Sequence, residues 1–277
     1  MIRGRPGLAH ANIPRRSPLR FAADCATQVF AVADAEARKL RHDPWELASR
    51  AVQPVLWLVL FGGVMARVRG LAPGGGRYLD FLAPGILAQS VLFVAIFYGI
   101  SAIWERDLGV LHRYLVSPAP RITLVIGKAL SSCIRGLSQA VVIYVCSALM
   151  GVAISLRPLD LLLVMILIVL GSSLFSTFSL IIACIVKTRE RFMGVGQVLT
   201  MPIFFASNAI YPIELMPQWL RTVSMLNPLS YEVDGLRTAM LRGGHSAFGL
   251  VHDLVTLLLV CAALMMIAAR MYPRMTE

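Results

Sequence analysis

The chain has 277 residues, 57% of them hydrophobic and only 15% charged, with a mean hydropathy of +0.72. Soluble domains average about 45–50% apolar and 25% charged residues, so this composition excludes an ordinary soluble fold and reads as an integral membrane protein. The net charge of +11 sits in segments flanking apolar runs, which points to a membrane surface and away from nucleic acid as the partner.

In chain order, residues 1–16 are rich in Arg, Gly and Pro and lack periodicity, which predicts a disordered basic tail. No cleavable signal peptide is expected, because the first fifty residues contain no apolar core segment. Ser17 and Pro18 can open a helix. Phe21, Cys25, Val29, Val32 and Leu40 fall roughly on one face of it. Asp24 and Asp34 lie early and Arg38, Lys39 and Arg41 late, as the helix dipole prefers. Residues 17–43 therefore read as an amphipathic helix lying on the inner membrane surface, with Phe21, Val29, Arg38 and Arg41 as its candidate contact residues; a plain solvated helix is the alternative.

Residues 44–270 carry six runs without ionisable side chains: Ala51–Ala66, Phe81–Trp104, Gly136–Leu156, Leu161–Val186, Phe192–Ile213 and Leu254–Ala269. About 20 apolar residues cross the hydrocarbon core, so the runs predict six transmembrane helices, the first and last borrowing flanking residues. With both termini inside, eighteen Lys and Arg residues fall on the inner side and seven on the outer. The positive-inside rule thus favours an N-in, C-in, all-α membrane protein ending in a cytoplasmic tail over 271–277. Pro54 should loosen the first helix near its start.

Between the second and third runs lies one charged segment, Trp104-Glu-Arg-Asp-Leu-Gly-Val-Leu-His-Arg-Tyr-Leu-Val-Ser-Pro-Ala-Pro-Arg121. Leu108, Leu111 and Leu115 share one helical face, and Arg106 and Arg113 share another. Ser117-Pro-Ala-Pro120 then forces a turn. Lys128 and Arg135, seven apart, are expected to snorkel to the inner interface. The fourth run holds a small polar stripe of Ser172, Ser176 and Ser179, which reads first as close helix packing and second as a substrate path. Asn208 joins that second reading as a possible lining residue. After the fifth run, two short amphipathic helices meet at Asn227-Pro228. The second carries an apolar stripe of Leu229, Val233, Leu236 and Met240, and Trp219 and Tyr231 are the interface anchors of the pair, which is expected to dip into or lie on the outer leaflet.

The chemistry is defined largely by what is missing. Gly127-Lys128 is followed by Ala129 and lacks the glycine-rich loop of a P-loop, so no ATP site is expected in this chain. No histidine falls inside a run, which argues against haem or a His-based zinc site. No acid lies in a run core, which argues against an ion-coupled carrier. No serine has a base beside it, and the five scattered cysteines read as small buried hydrophobes. The expectation is therefore no catalytic residues, no metal, no resident cofactor and no enzyme activity. What remains is a six-span body with a charged inner segment, so transport needs an external motor that rocks that segment.

The runs Glu36-Ala-Arg-Lys-Leu-Arg-His-Asp-Pro-Trp45 and Gln53-Pro-Val-Leu-Trp-Leu-Val-Leu-Phe-Gly62 resemble the membrane subunit of type-2 ABC exporters, in the branch of daunorubicin-resistance and nodulation-factor export permeases. Tyr78-Leu-Asp-Phe-Leu-Ala-Pro-Gly-Ile86, Trp104-Glu-Arg-Asp-Leu-Gly109, Leu115-Val-Ser-Pro118, Ile126-Gly-Lys128 and Asn227-Pro-Leu-Ser230 extend the similarity over roughly residues 30–270. The resemblance implies an interface helix at about 18–42, a coupling helix at 105–118 and two short outer, re-entrant helices at about 213–240. It also implies a separate ATP-binding subunit carrying ATP and Mg, and a second permease copy, as homodimer or heterodimer, in the cytoplasmic membrane. On that footing Leu108, Leu111, Tyr114 and Leu115 would fill a groove on the ATPase, and Glu105, Arg106 and Arg113 would orient it by charge. The function implied is export of a small amphipathic drug, lipid or glycolipid. The alternatives are polysaccharide export or, in a different class, an intramembrane enzyme or scaffold.

Overall fold

The structure is a computed structural model that describes Ser49 and residues 52–65, 77–108, 121–186 and 188–271, with residues 121–124 as backbone only. The expected basic tail 1–16, the interface helix 17–43 with Phe21, Val29, Arg38 and Arg41, and residues 272–277 lie outside the described residues, as do Leu111, Arg113, Tyr114 and Leu115.

Every named element among the described residues is helical. Among the described residues, four helices are long and apolar enough to cross a membrane: Tyr78–Asp107, Val125–Leu149, Pro158–Val186 and Leu250–Met271. The first of these is two elements, α2 (Tyr78–Tyr98) and α3 (Ile100–Asp107), joined at Gly99. The others belong to α4 (Arg121–Leu149), α5 (Pro158–Val186) and α9 (Leu250–Met271). The remaining two of the six expected runs form shorter helices, α1 (Val52–Met65) and α6 (Arg189–Phe205). In α1 the ladder widens to π-type turns over Trp57–Phe61, three residues after Pro54. Proline removes one donor and crowds the preceding turn, so the loosening expected there has a local cause.

Helix α5 is the hub, with α2, α4, α8 and α9 packed against it; here α7 is Gln218–Leu226 and α8 is Pro228–Met240. Between Tyr78 and Leu92 almost every side chain of α2 is buried, as expected for a helix apolar all round and placed centrally. By contrast α9 buries only Asp253, Leu257, Cys261 and Ala268, spaced to form one stripe, and exposes Leu258, Leu259 and Met266 on its outer face. That exposed apolar face suits lipid.

At the Tyr78 end of the bundle the connections are stitched together. Arg77 Nη1 donates to Gly151 O at 2.8 Å, the Ala153 amide donates to Asp80 Oδ1 at 3.1 Å, and the Ser155 amide donates to Met240 O at 2.7 Å. Helices α7 and α8 lie at this end and meet at Asn227-Pro228. Asn227 Oδ1 accepts from the Leu229 amide at 3.0 Å, while its Nδ2 donates to Ile203 O at 2.6 Å. Such a cap is worth about 1 kcal/mol. Leu229, Val233, Leu236 and Met240 are all fully buried, so the apolar stripe faces the bundle.

Small residues set the closest approaches. A Cβ at Gly99 would overlap Ser179 Oγ, and one at Gly136 would overlap Ser172 Oγ. Helix α5 can therefore press against both the α2–α3 joint and α4 only because those positions lack side chains.

Candidate functional site

The charged segment begins on α3, where Glu105 turns toward α4. Glu105 forms an ion pair with Lys128 of α4, and Lys128 also donates to Ser101 Oγ at 3.2 Å. Asp107 joins two arginines: Arg106 Nη2 at 2.9 Å and, from α6, Arg189 Nη2 at 2.8 Å. The Arg189 guanidinium also lies 3.8 Å from the centre of the Trp104 ring. Leu108 is 70% exposed. Lys128 and Arg135 were expected to snorkel; instead both turn into the protein. Arg135 is buried with its guanidinium 4.9 Å from the Tyr98 ring centre, and Lys128 is held by Glu105. The reason is spacing: two turns apart on α4, they face α2 and α3, where an acid and an aromatic ring receive them.

Above this cluster α1, α2, α3, α4 and α6 enclose a cavity of about 810 Å³. Phe93, Phe97, Tyr98 and Trp104 supply aromatic surface, and Glu105 and Arg135 are its charged residues. The remaining polar wall is mostly amide: Gln53, Gln89, Gln139 and Gln197. Gln53, Gln197 and Trp104 are exposed at the rim, whereas Gln89 and Gln139 are 3% and 1% exposed in the wall. Gln89 Oε1 has no hydrogen-bond partner among the described residues. From Gln89 to Glu105 the lining follows α2 and α3 for about 24 Å at 1.5 Å per residue.

Ser172, Ser176, Ser179 and Asn208 are buried and lie outside this lining. Ser172 faces Gly136, Ser179 Oγ donates to Ile96 O, and Ser176 Oγ donates to Ser173 O at 3.2 Å. Asn208 accepts through its backbone oxygen from Arg237 Nη2 at 2.9 Å. Among the described residues no three His, Cys, Asp or Glu side chains gather closely enough to hold a metal ion.

An acid does enter the bundle, though not from a span. Glu232 of α8 is fully buried, both carboxylate oxygens lack partners among the described residues, and its carboxyl group presses on Gly171 in the middle of α5. Burial pushes its pKa well above the ordinary carboxylate value. On the same helix Arg237 is pulled down to about 10 by burial, with Asp234 and Glu214 opposing that shift. Its guanidinium lies 3.8 Å from the centre of the Phe81 ring, fixing α8 to α2.

The glutamines, Asp107 and Arg189 are not picked out by sequence reasoning, which places Arg135 at the membrane interface. One signal was available: four of the six apolar runs carry a single glutamine each, and all four glutamines meet here.

Residues 27–241 match the ABC-2 type transporter family. A putative transport permease, ycf38, of Cyanophora paradoxa is 31% identical over 208 residues, covering 72% of this chain and 69% of the relative. The daunorubicin resistance ABC transporter permease protein DrrB1 of Streptomyces coeruleorubidus is 25% identical over 209 residues, covering 72% and 70%. Nodulation protein J of Rhizobium leguminosarum bv. trifolii is 25% identical over 201 residues, covering 72% and 74%. With its family match spanning most of α1 to α8 and its apolar helices, this multi-pass membrane protein belongs to the ABC-2 type transporter permease family.

Proposed function

We propose that the chain is the membrane subunit of an ATP-driven exporter, moving an amphipathic drug, lipid or glycolipid outward across the cytoplasmic membrane. A separate ATP-binding subunit carries ATP and Mg and docks on the coupling segment 105–118 and the interface helix. A second permease copy completes the pathway. In this reading α1 and α6 cross the membrane with the four longer helices, both termini face the cytoplasm, and α7 and α8 form the re-entrant outer pair.

One observation carries the reading: α3 is at once a wall of the polar cavity, through Ser101, Trp104 and Glu105, and the root of the charged segment. Force applied at 105–118 would therefore move the cavity wall directly. The alternation of helix ends supports the crossing pattern, because Lys128 near the start of α4 meets the end of α3, and Arg189 at the start of α6 does too.

The test is ATP hydrolysis by the permease reconstituted with its co-purifying ATPase, measured against a panel of lipids and amphipathic drugs. Stimulation by one class of amphiphile is expected. A chain that purifies without any ATPase, or a complex indifferent to every amphiphile, would favour a non-transporting scaffold.

A further inference from the structure

The chain has six glutamines in all, and the four within apolar runs come from α1, α2, α4 and α6 to one cavity. Primary amides are unfavourable in an apolar span unless something pairs with them. Gln89, in the buried wall, presents an acceptor that nothing among the described residues satisfies. An amide offers donors and an acceptor without charge, and so does a hydroxyl group. The two charged lining residues have opposite signs. Glu105 is taken up by Lys128, and Arg135 is laid over Tyr98, so neither is set out to select a cationic or anionic ligand. Phe93, Phe97, Tyr98 and Trp104 add flat apolar faces suited to the C–H face of a ring and to an acyl or aryl tail. The volume falls within the range of about 300–1,000 Å³ usual for ligand pockets.

We infer that this cavity binds an amphiphile with an uncharged, hydroxyl-rich headgroup of glycosyl type, held by Gln53, Gln89, Gln139 and Gln197. This rests on the permease reading and narrows its substrate class. Gln89 Oε1 accepts a hydrogen bond from a headgroup hydroxyl, the other amides donate and accept along the ring, and the tail leaves past the rim toward lipid.

Three fluorescent probes that share a dodecyl chain and differ only in headgroup test it: a glucoside, a phosphate and a trimethylammonium. Binding to the full chain in lipid nanodiscs is read by anisotropy against empty nanodiscs. The glucoside should bind at least tenfold tighter than the two charged probes. Gln89→Met should weaken it about tenfold, the loss of roughly one well-made hydrogen bond. Gln53→Met and Gln197→Met, at the exposed rim where folding does not depend on them, should each weaken it several-fold. Equal binding of all three probes, or glucoside binding indifferent to every glutamine variant, would overturn the proposal. ATP-driven uptake of the same probes into inside-out vesicles containing the ATPase separates the two readings. Uptake of the trimethylammonium probe, unaffected by the glutamine variants, sinks the headgroup class and leaves the permease. Glutamine-dependent glucoside binding without ATP-driven movement keeps the site and sinks the permease reading.

Discussion

Glu232 shows how one residue can sit at odds with its surroundings and still define them. Its carboxyl is fully buried on α8, outside the four long spans, with no partner for either oxygen among the described residues. An ionised carboxylate there is strongly disfavoured, so the folded protein holds it protonated well above the usual range. The sign of the linkage follows. Below about pH 4.3 both the folded and unfolded states are protonated, and the group adds no penalty. As pH rises past that value the unfolded state ionises first, and the folded state loses stability until its own raised pKa is passed. Glu232→Gln should therefore raise the melting temperature at pH 8 by at least about 2 °C, with a smaller gain at pH 5. Thermal unfolding of the two proteins at both pH values checks this; a variant less stable at pH 8 would mean the carboxylate is ionised and paired. The runs between charges gave no hint of this acid, because it reaches the bundle interior from a short amphipathic helix rather than from a span.

At the scale of elements, the clamp between α3 and α6 is the most informative contact. Asp107 and Arg189 are both about one-third exposed, and water screens an exposed pair of this kind, so it contributes little to stability. Stacking of Arg189 on Trp104 adds roughly 0.5–1 kcal/mol. Such weak contacts make the clamp a poor stabiliser but a direct tie between the end of α3 and the helix that carries Gln197. Asp107→Arg and Arg189→Asp should each cut transport at least fivefold while shifting thermal unfolding little, and the double exchange should recover at least half of the loss. Equal transport by the single variants would show that α3 and α6 move independently. Local features of the fold were legible because local rules govern them: the break at Asn227-Pro228, the buried stripe of α8, and the loosened start of α1 after Pro54. The cavity was not, because its four glutamines lie 36 to 58 residues apart and each looks solitary within its own run. Arg135 was misplaced for the same reason, since its aromatic partner sits on another helix.

For the whole molecule, the central proposal is that the energy for transport enters this permease from a separate ATPase through the segment 105–118. The apolar outer face of α9, the hub role of α5 and the polar cavity behind α3 fit one body that is rocked from one end. Composition made the membrane reading plain, and the order of short motifs made the family plain. Which side chain meets which depended on helix rotation, which sequence periodicity constrains only weakly in spans apolar all round. The most direct test measures ATP hydrolysis and substrate export together in the reconstituted complex carrying Arg113→Glu. Export falling at least tenfold while hydrolysis continues is the result the account predicts. Unchanged export per ATP hydrolysed in that variant would contradict it.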